Sequence, residues 1–177
     1  MAGVFRHPFA RHWLATRVGE LALSLSLDVL APIPDRLTGS TLESLLSFVL
    51  RAEGAGDDWV LAFRFTSDED IRTLHLQFMD LDSPTDILTF PYAGPDDAPF
   101  GLPENERAGG DIVISVERAA TQAAEARWSL FDELLFLSIH GTLHLLGWDD
   151  RDTQSRDAML GRQEALLGEW KASPVPL

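Results

Sequence analysis

Cysteine is absent from this 177-residue chain. Its absence excludes a disulfide framework, a thiolate zinc cluster, an iron–sulfur site and a cysteine nucleophile. Any metal must therefore bind to nitrogen and oxygen ligands, and the five histidines limit the nitrogen candidates. The length predicts a single domain over residues 1–177 that buries roughly 70% of its unfolded surface.

Positive charge is also scarce, with 14 basic residues against 28 acidic ones and a net charge of −14. Lys171 is the single lysine, and the other thirteen basic residues are arginines. Residues 1–56 carry five charges of each sign, so the remainder of the chain holds the whole net charge. This balance argues against a protein that coats nucleic acid, although an enzyme cleft needs only local positive charge.

Long hydrophobic runs are missing as well. The stretch 18–30 follows three arginines and is rich in leucine, but Glu20 and Asp28 interrupt it. Its leucines alternate with small or polar residues, which is the period of a half-buried strand rather than of a signal peptide or membrane helix. We therefore expect a cytoplasmic protein with no membrane partner.

Periodicity and turn residues predict an α+β fold: a small four-stranded mixed sheet packed against about five helices, one of them a zincin-like metal-binding helix. A Ser40–Glu43 capping box is expected to start the first helix, and Ser67 and Ser129 later ones. Residues 93–110, rich in proline, glycine and acids, predict a long mobile loop. The predicted strands cover 21–29, 59–66, 86–91 and 110–115, and the later helices cover 116–127, 130–146 and 152–170.

Two histidines lie inside the most apolar of these helices. His140 and His144 are four residues apart, so both imidazoles project from one helix face. A buried histidine pair costs free energy unless each ring has a partner. The pair could be satisfied by other core groups, but Gly147 and the carboxylates of Asp149 and Asp150 follow directly, which favours a three-ligand metal site.

The residue after the first histidine restricts the chemistry. Zinc peptidases of the HExxH type need a glutamate there as general base. This chain has Gly141 instead, which disfavours a peptidase and allows close packing against a neighbouring strand.

Three ordered segments carry a resemblance to a known family. Residues 140–149 (HGTLHLLGWD) resemble the signature HGxLHLxGYDH of the YbeY family, the metal-dependent endoribonucleases of bacterial ribosomal RNA maturation. Residues 84–92 (PTDILTFPY) resemble its PTDVLSFPY segment, and residues 110–115 (GDIVIS) resemble its LGDIxIS strand. The likeness covers about residues 20–168.

The resemblance implies a zinc-dependent single-strand endoribonuclease of ribosomal RNA maturation and ribosome quality control. It implies one Zn²⁺ per chain, RNA as substrate, and the small ribosomal subunit or a ribosomal protein as partner, with no DNA expected. The alternative is a metal-stabilised, ribosome-associated binding factor with little nuclease activity.

The third metal ligand departs from the family pattern. The family has a histidine at the end of its signature, where this chain has Asp150. A carboxylate oxygen is a competent zinc ligand, so the predicted metal ligands are His140, His144 and Asp150. Asp149 is the competing third ligand.

A second departure precedes the PTD segment. The family usually has an asparagine there and, four residues on, an arginine credited with a role in RNA cleavage. Those positions are His75 and Met79 in this chain, and methionine cannot neutralise a phosphate. Arg72 or Arg64 could substitute for the arginine, and His75 is either a further polar group in the cleft or a surface histidine.

The matched segments also carry polar residues whose roles stay open. Asp86 and Asp111 could act in proton transfer or cap turns beside a strand, and we favour capping. Thr85 and Ser115 could orient other groups or belong to turn chemistry. The catalytic base is therefore unassigned from sequence.

Overall fold

One mixed β-sheet forms the centre of the fold. The computed structural model describes residues 14–18, 21–55, 59–92 and 108–173. The sheet order is β1-β2-β3-β5-β4, with parallel pairing at β2–β3 and β3–β5 and antiparallel pairing at both edges. This confirms the α+β class and the mixed sheet. The strands are β1 (Leu14–Val18), β2 (Leu21–Val29), β3 (Trp59–Thr66), β4 (Ile87–Pro91) and β5 (Gly109–Ser115).

Among the described residues the sheet has five strands, one more than the four predicted. β1 pairs antiparallel with β2, and Leu14 lies opposite Leu25 in the register. Five residues are too few for an alternating hydrophobic pattern to be recognised in the sequence. The strand is evident only from its pairing with β2. The predicted loop spans residues 93–110. Residues 93–107 lie outside the part of the chain that the structure describes, and residues 109 and 110 belong to β5.

Within the part of the chain that the structure describes, five helices accompany the sheet, in agreement with the prediction. Ser67, Ser115, Ser129 and Asp152 cap four of them, each accepting a hydrogen bond from a backbone N–H three residues on. The first helix begins earlier than predicted, because the Thr38 hydroxyl accepts from the Thr41 N–H. The helices are α1 (Gly39–Ala52), α2 (Asp68–Met79), α3 (Val116–Ala126), α4 (Leu130–Leu145) and α5 (Thr153–Ala172).

Helix α4 is the central helix of the core. It packs against α1, α3 and α5 and against strands β4 and β5. Leu134, Leu135, Ile139 and Leu143 are fully buried, as the all-round apolar sequence predicts. No described helix combines the length and the hydropathy that a bilayer crossing requires.

Gly141 lets α4 approach the sheet closely. A Cβ atom at this position would lie 2.9 Å from Ile87 Cδ1 and 3.0 Å from Ile112 Cγ2. Those distances are too short for ordinary carbon contacts. The glycine therefore has the packing role considered from sequence, and it places the histidine-bearing turn of α4 against β4 and β5.

Candidate metal centre

The last two turns of α4 bring His140 and His144 together. Their Nε2 atoms are 3.0 Å apart, and the two rings are nearly perpendicular, with centroids separated by 4.6 Å. Both side chains are largely buried. The predicted pairing of the two imidazoles on one helix face is thus present in the folded chain.

The helix ends in a reversal that returns the chain toward these rings. Gly147 has φ +94°, in the left-handed region, and its N–H donates to the carbonyl of His144. The Trp148 N–H donates to the carbonyl of Leu143, which completes a Schellman motif. The reversal brings Asp150 beside the two histidines.

Asp150, rather than Asp149, faces the histidine pair. Its Oδ2 atom is 3.7 Å from His144 Nε2 and 3.9 Å from His140 Nε2. The Asp149 carboxylate instead forms an ion pair with Arg151 at 2.8 Å, which holds the pKa of Asp149 below its usual value. Within the described residues, His140, His144 and Asp150 form the one cluster of such side chains able to hold a metal ion.

Hydrogen bonds on the far side of each ring determine where the protons lie. The Gln163 carboxamide donates through Nε2 to the Phe136 carbonyl, so its oxygen faces His140 Nδ1 at 3.1 Å. The Trp148 carbonyl lies 3.1 Å from His144 Nδ1. Both Nδ1 atoms must therefore carry the proton, because each faces an acceptor.

This assignment leaves an unshared electron pair on each Nε2 atom. Two such pairs 3.0 Å apart repel each other unless a cation or a proton lies between them. Burial lowers the pKa of His140, and the neighbouring His144 lowers it further, against the opposing effects of Gln163 and the acidic groups. The neutral imidazole is thereby favoured, which is the form that binds a metal.

The dimensions of the cluster fit a divalent metal ion. Nitrogen ligands 2.0–2.1 Å from a tetrahedral zinc lie roughly 3.3 Å apart, close to the separation of the two Nε2 atoms. Asp150 Oδ2 needs to move only a few tenths of an ångström toward the histidines to reach the same spacing. Two imidazoles and one carboxylate would provide an open three-ligand set, of the kind found in catalytic rather than structural zinc sites.

We predict that Gln163→Leu weakens divalent metal binding by about 10- to 100-fold. The substitution removes the acceptor that holds the His140 tautomer, and partners of metal-bound histidines typically contribute that much affinity. Gln163→Glu is the matched control, because it keeps an acceptor at the same position. Titration with zinc against a competing chelator measures the effect, and equal affinities for wild type and Gln163→Leu would contradict it.

The residues considered for the family's asparagine and arginine positions, and the two candidate substitutes, have distinct contacts and exposure. His75 Nδ1 is 2.7 Å from the Ser83 carbonyl, so this histidine stabilises the turn after α2. Met79 is the last residue of α2 and is 46% exposed. Both candidate substitutes are paired with acids: Arg72 with Asp82 at 2.6 Å and Arg64 with Asp28 at 2.7 Å.

The polar residues of the other matched segments have structural contacts. The Asp86 carboxylate accepts from the Ile87 N–H and from Thr85 Oγ1. Asp111 is buried and accepts from the Tyr92 hydroxyl at 2.6 Å. Ser115 caps α3 and donates to Asp68 at 2.6 Å.

A buried carboxylate near the candidate metal centre was missed in the sequence. Glu133 is 6% exposed, and burial followed by the charge of Asp86 raises its pKa. It lines a cavity of about 340 Å³ that His140 also lines. The sequence feature that could have identified Glu133 is its position seven residues before His140, on the same face of an otherwise apolar helix.

Comparison with known proteins identifies the family of this chain. The model of the family described as Endoribonuclease YbeY matches residues 31–171. The Endoribonuclease YbeY of Moorella thermoacetica is 38% identical over 138 residues, covering 77% of this chain and 88% of that protein. The Synechococcus sp. (strain RCC307) protein of the same name is 43% identical over 152 residues, covering 82% and 93%.

A solved structure agrees with these sequence matches. The solution structure of a Thermotoga maritima protein aligns with a TM-score of 0.53 and 26% sequence identity, covering 84% of this chain and 93% of that one. The family model extends across the α4 histidines and the aspartates that follow them. The chain therefore belongs to the Endoribonuclease YbeY family.

Proposed function

We propose that this protein is a zinc-dependent, single-strand endoribonuclease of ribosomal RNA maturation and ribosome quality control. His140, His144 and Asp150 would hold one Zn²⁺ per chain. The observation that carries the proposal is the convergence of two Nε2 atoms, 3.0 Å apart, beside a carboxylate. Membership of an endoribonuclease family gives that site its substrate class.

Each part of the site has a defined chemical task. When bound, the ion supplies Lewis acidity toward a phosphoryl oxygen and lowers the pKa of water. Gln163 and the Trp148 carbonyl orient the two imidazoles and keep their Nε2 atoms available. The carboxylate of Asp150 adds a negative charge, so this site has a lower net charge than the family's three-histidine set.

The charge of the protein restricts how RNA reaches this site. With a net charge of −14, few phosphates can be neutralised outside the cleft. We propose that the small ribosomal subunit or a ribosomal protein delivers the RNA, and that free RNA binds weakly and with strong salt dependence. The working location in this proposal is the cytoplasm.

A second function is favoured by one specific feature of the chain. The position of the family's arginine is Met79, and both candidate substitutes, Arg72 and Arg64, are paired with carboxylates. A metal-stabilised, ribosome-associated factor with little nuclease activity is therefore the alternative. In that case ribosome binding would be independent of the metal chemistry.

Cleavage of labelled single-stranded RNA separates the two functions. We expect wild-type protein to cleave the RNA, to lose activity with a chelator and to regain it with added zinc. His144→Ala is expected to be inactive, because it removes one predicted ligand, and cleavage that persists in this variant would indicate a contaminant. No cleavage by zinc-loaded wild type, together with ribosome co-sedimentation, would favour the binding factor instead.

A further inference from the structure

A cavity of about 340 Å³ lies directly beside the candidate metal centre. His140 and Gln163 belong to its wall, so the cavity and the metal cluster share a side chain. Trp128 and Phe136 provide an aromatic side, with their rings packed edge to face at 5.1 Å. A molecule bound at the metal cluster therefore has an adjacent space with an aromatic, apolar side.

The cavity also contains a buried carboxylate without a protein partner. Glu133 is 94% buried, yet its side chain forms no hydrogen bond or ion pair with any described residue. Its oxygens are not among the buried unpartnered side-chain atoms, so they border the cavity and are accessible there. A ligand in the cavity can therefore donate hydrogen bonds to them.

A second unpaired acceptor lies in the same wall. Gln122 Nε2 donates to Asp86 Oδ2 at 2.9 Å, and an ionised carboxylate accepts only, so the carboxamide cannot be reversed. Gln122 Oε1 is consequently left buried with no partner among the described residues. A ligand in the cavity can contact Gln122 Oε1 only after a small movement of the side chains that cover this oxygen.

The residues that line the cavity favour a planar ligand that donates hydrogen bonds. Asp86, Glu133 and Glu164 make the cavity negative, which repels a phosphate. Aromatic side chains with hydrogen-bonding groups nearby are the usual means of binding an unstacked RNA base. Guanine is the base whose Watson–Crick edge presents adjacent N–H donors, which match the two oxygens of one carboxylate.

We propose that this cavity binds the guanine of a nucleotide adjacent to the phosphodiester at the candidate metal centre, with Glu133 as the specificity-determining residue. The inference rests on the proposed function, because RNA is the substrate assumed. Glu133 precedes His140 by seven residues, or about 10 Å along the helix axis. A nucleotide spans that distance from its phosphate to the far edge of its base.

Binding of free nucleosides tests the subsite without any cleavage step. The full-length protein, labelled with ¹⁵N, is titrated with guanosine, adenosine, cytidine and uridine, and the Trp128 indole N–H and Gln122 carboxamide signals are followed. We expect guanosine to shift both signals and to bind at least about tenfold more tightly than the other three. Glu133→Gln should lose that preference while remaining folded, because it removes a buried charge without changing the side-chain shape.

Glu125→Gln is the matched control, since it removes the same charge from an exposed residue that does not line the cavity. Its guanosine preference should equal that of wild type. Equal responses to all four nucleosides, or no response to any of them, would overturn the subsite. N-acetylarginine amide carries a planar guanidinium donor, and its binding in place of guanosine would also overturn the subsite. Cleavage that persists in the absence of guanosine binding would refute the subsite but not the nuclease, whereas selective binding without cleavage would refute only the nuclease.

Discussion

Asp150→Ala is expected to reduce zinc affinity by at least about 100-fold and to remove RNA cleavage, while Asp149→Ala leaves both unchanged. Loss of a group that merely orients a ligand costs 10- to 100-fold, and loss of a direct ligand should cost more. The carboxylate of Asp150 lies 3.7 Å from His144 Nε2, whereas that of Asp149 is bound to Arg151. The neighbouring residue is thus a control with the same charge change.

Elemental analysis of the purified variants, followed by competition with a chelator, measures this effect. We expect about one zinc per wild-type chain and per Asp149→Ala chain, and much less for Asp150→Ala. Asp150→His restores the residue of the family signature and is expected to retain zinc, because imidazole is also a zinc ligand. Metal lost from Asp149→Ala but retained by Asp150→Ala would assign the third ligand to Asp149.

Gly109→Ala is expected to destabilise the protein by about 3–5 kcal/mol. Gly109 has φ +146°, and a Cβ atom there would lie only 1.8 Å from the backbone oxygen of Val60. Val60 lies opposite Gly109 in the β3–β5 register, so neither strand can move without breaking the ladder. β5 also supports the turn of α4 at Gly141, which connects this strand to the candidate metal centre.

Equilibrium unfolding in urea measures this loss, with Gly168→Ala as the matched control. Gly168 is exposed in α5, and a Cβ atom there would meet nothing within 4 Å. In a helix interior the same change should stabilise the protein by about 0.5–1 kcal/mol. Similar unfolding midpoints for Gly109→Ala and wild type would show that the β3–β5 pairing is more adaptable than the register implies.

Local patterns were sufficient to predict much of this fold. Helix α4, its Ser129 cap and its turn at Gly147 follow from contacts between residues up to five positions apart, and the structure contains all three. The spacing of His140 and His144 likewise predicts that the imidazoles meet. Strand β1 was missed because its conformation depends on pairing with β2.

The site shows the same division between local and distant contacts. Sequence alone determined which residue types were present: two histidines one helical turn apart, a glycine that reverses the chain, and two aspartates after it. It could not choose between Asp149 and Asp150, because that choice depends on which carboxylate the turn directs inward and which one Arg151 binds.

Only the tertiary structure decided which groups surround the histidines. Gln163 comes from α5, 23 residues after His140, and its carboxamide sets the ring tautomer. Gln122 comes from α3 and lies with Glu133 in the wall of one cavity. These are contacts between separate helices, which no periodicity within one helix encodes, whereas the histidine pair is a property of α4 itself.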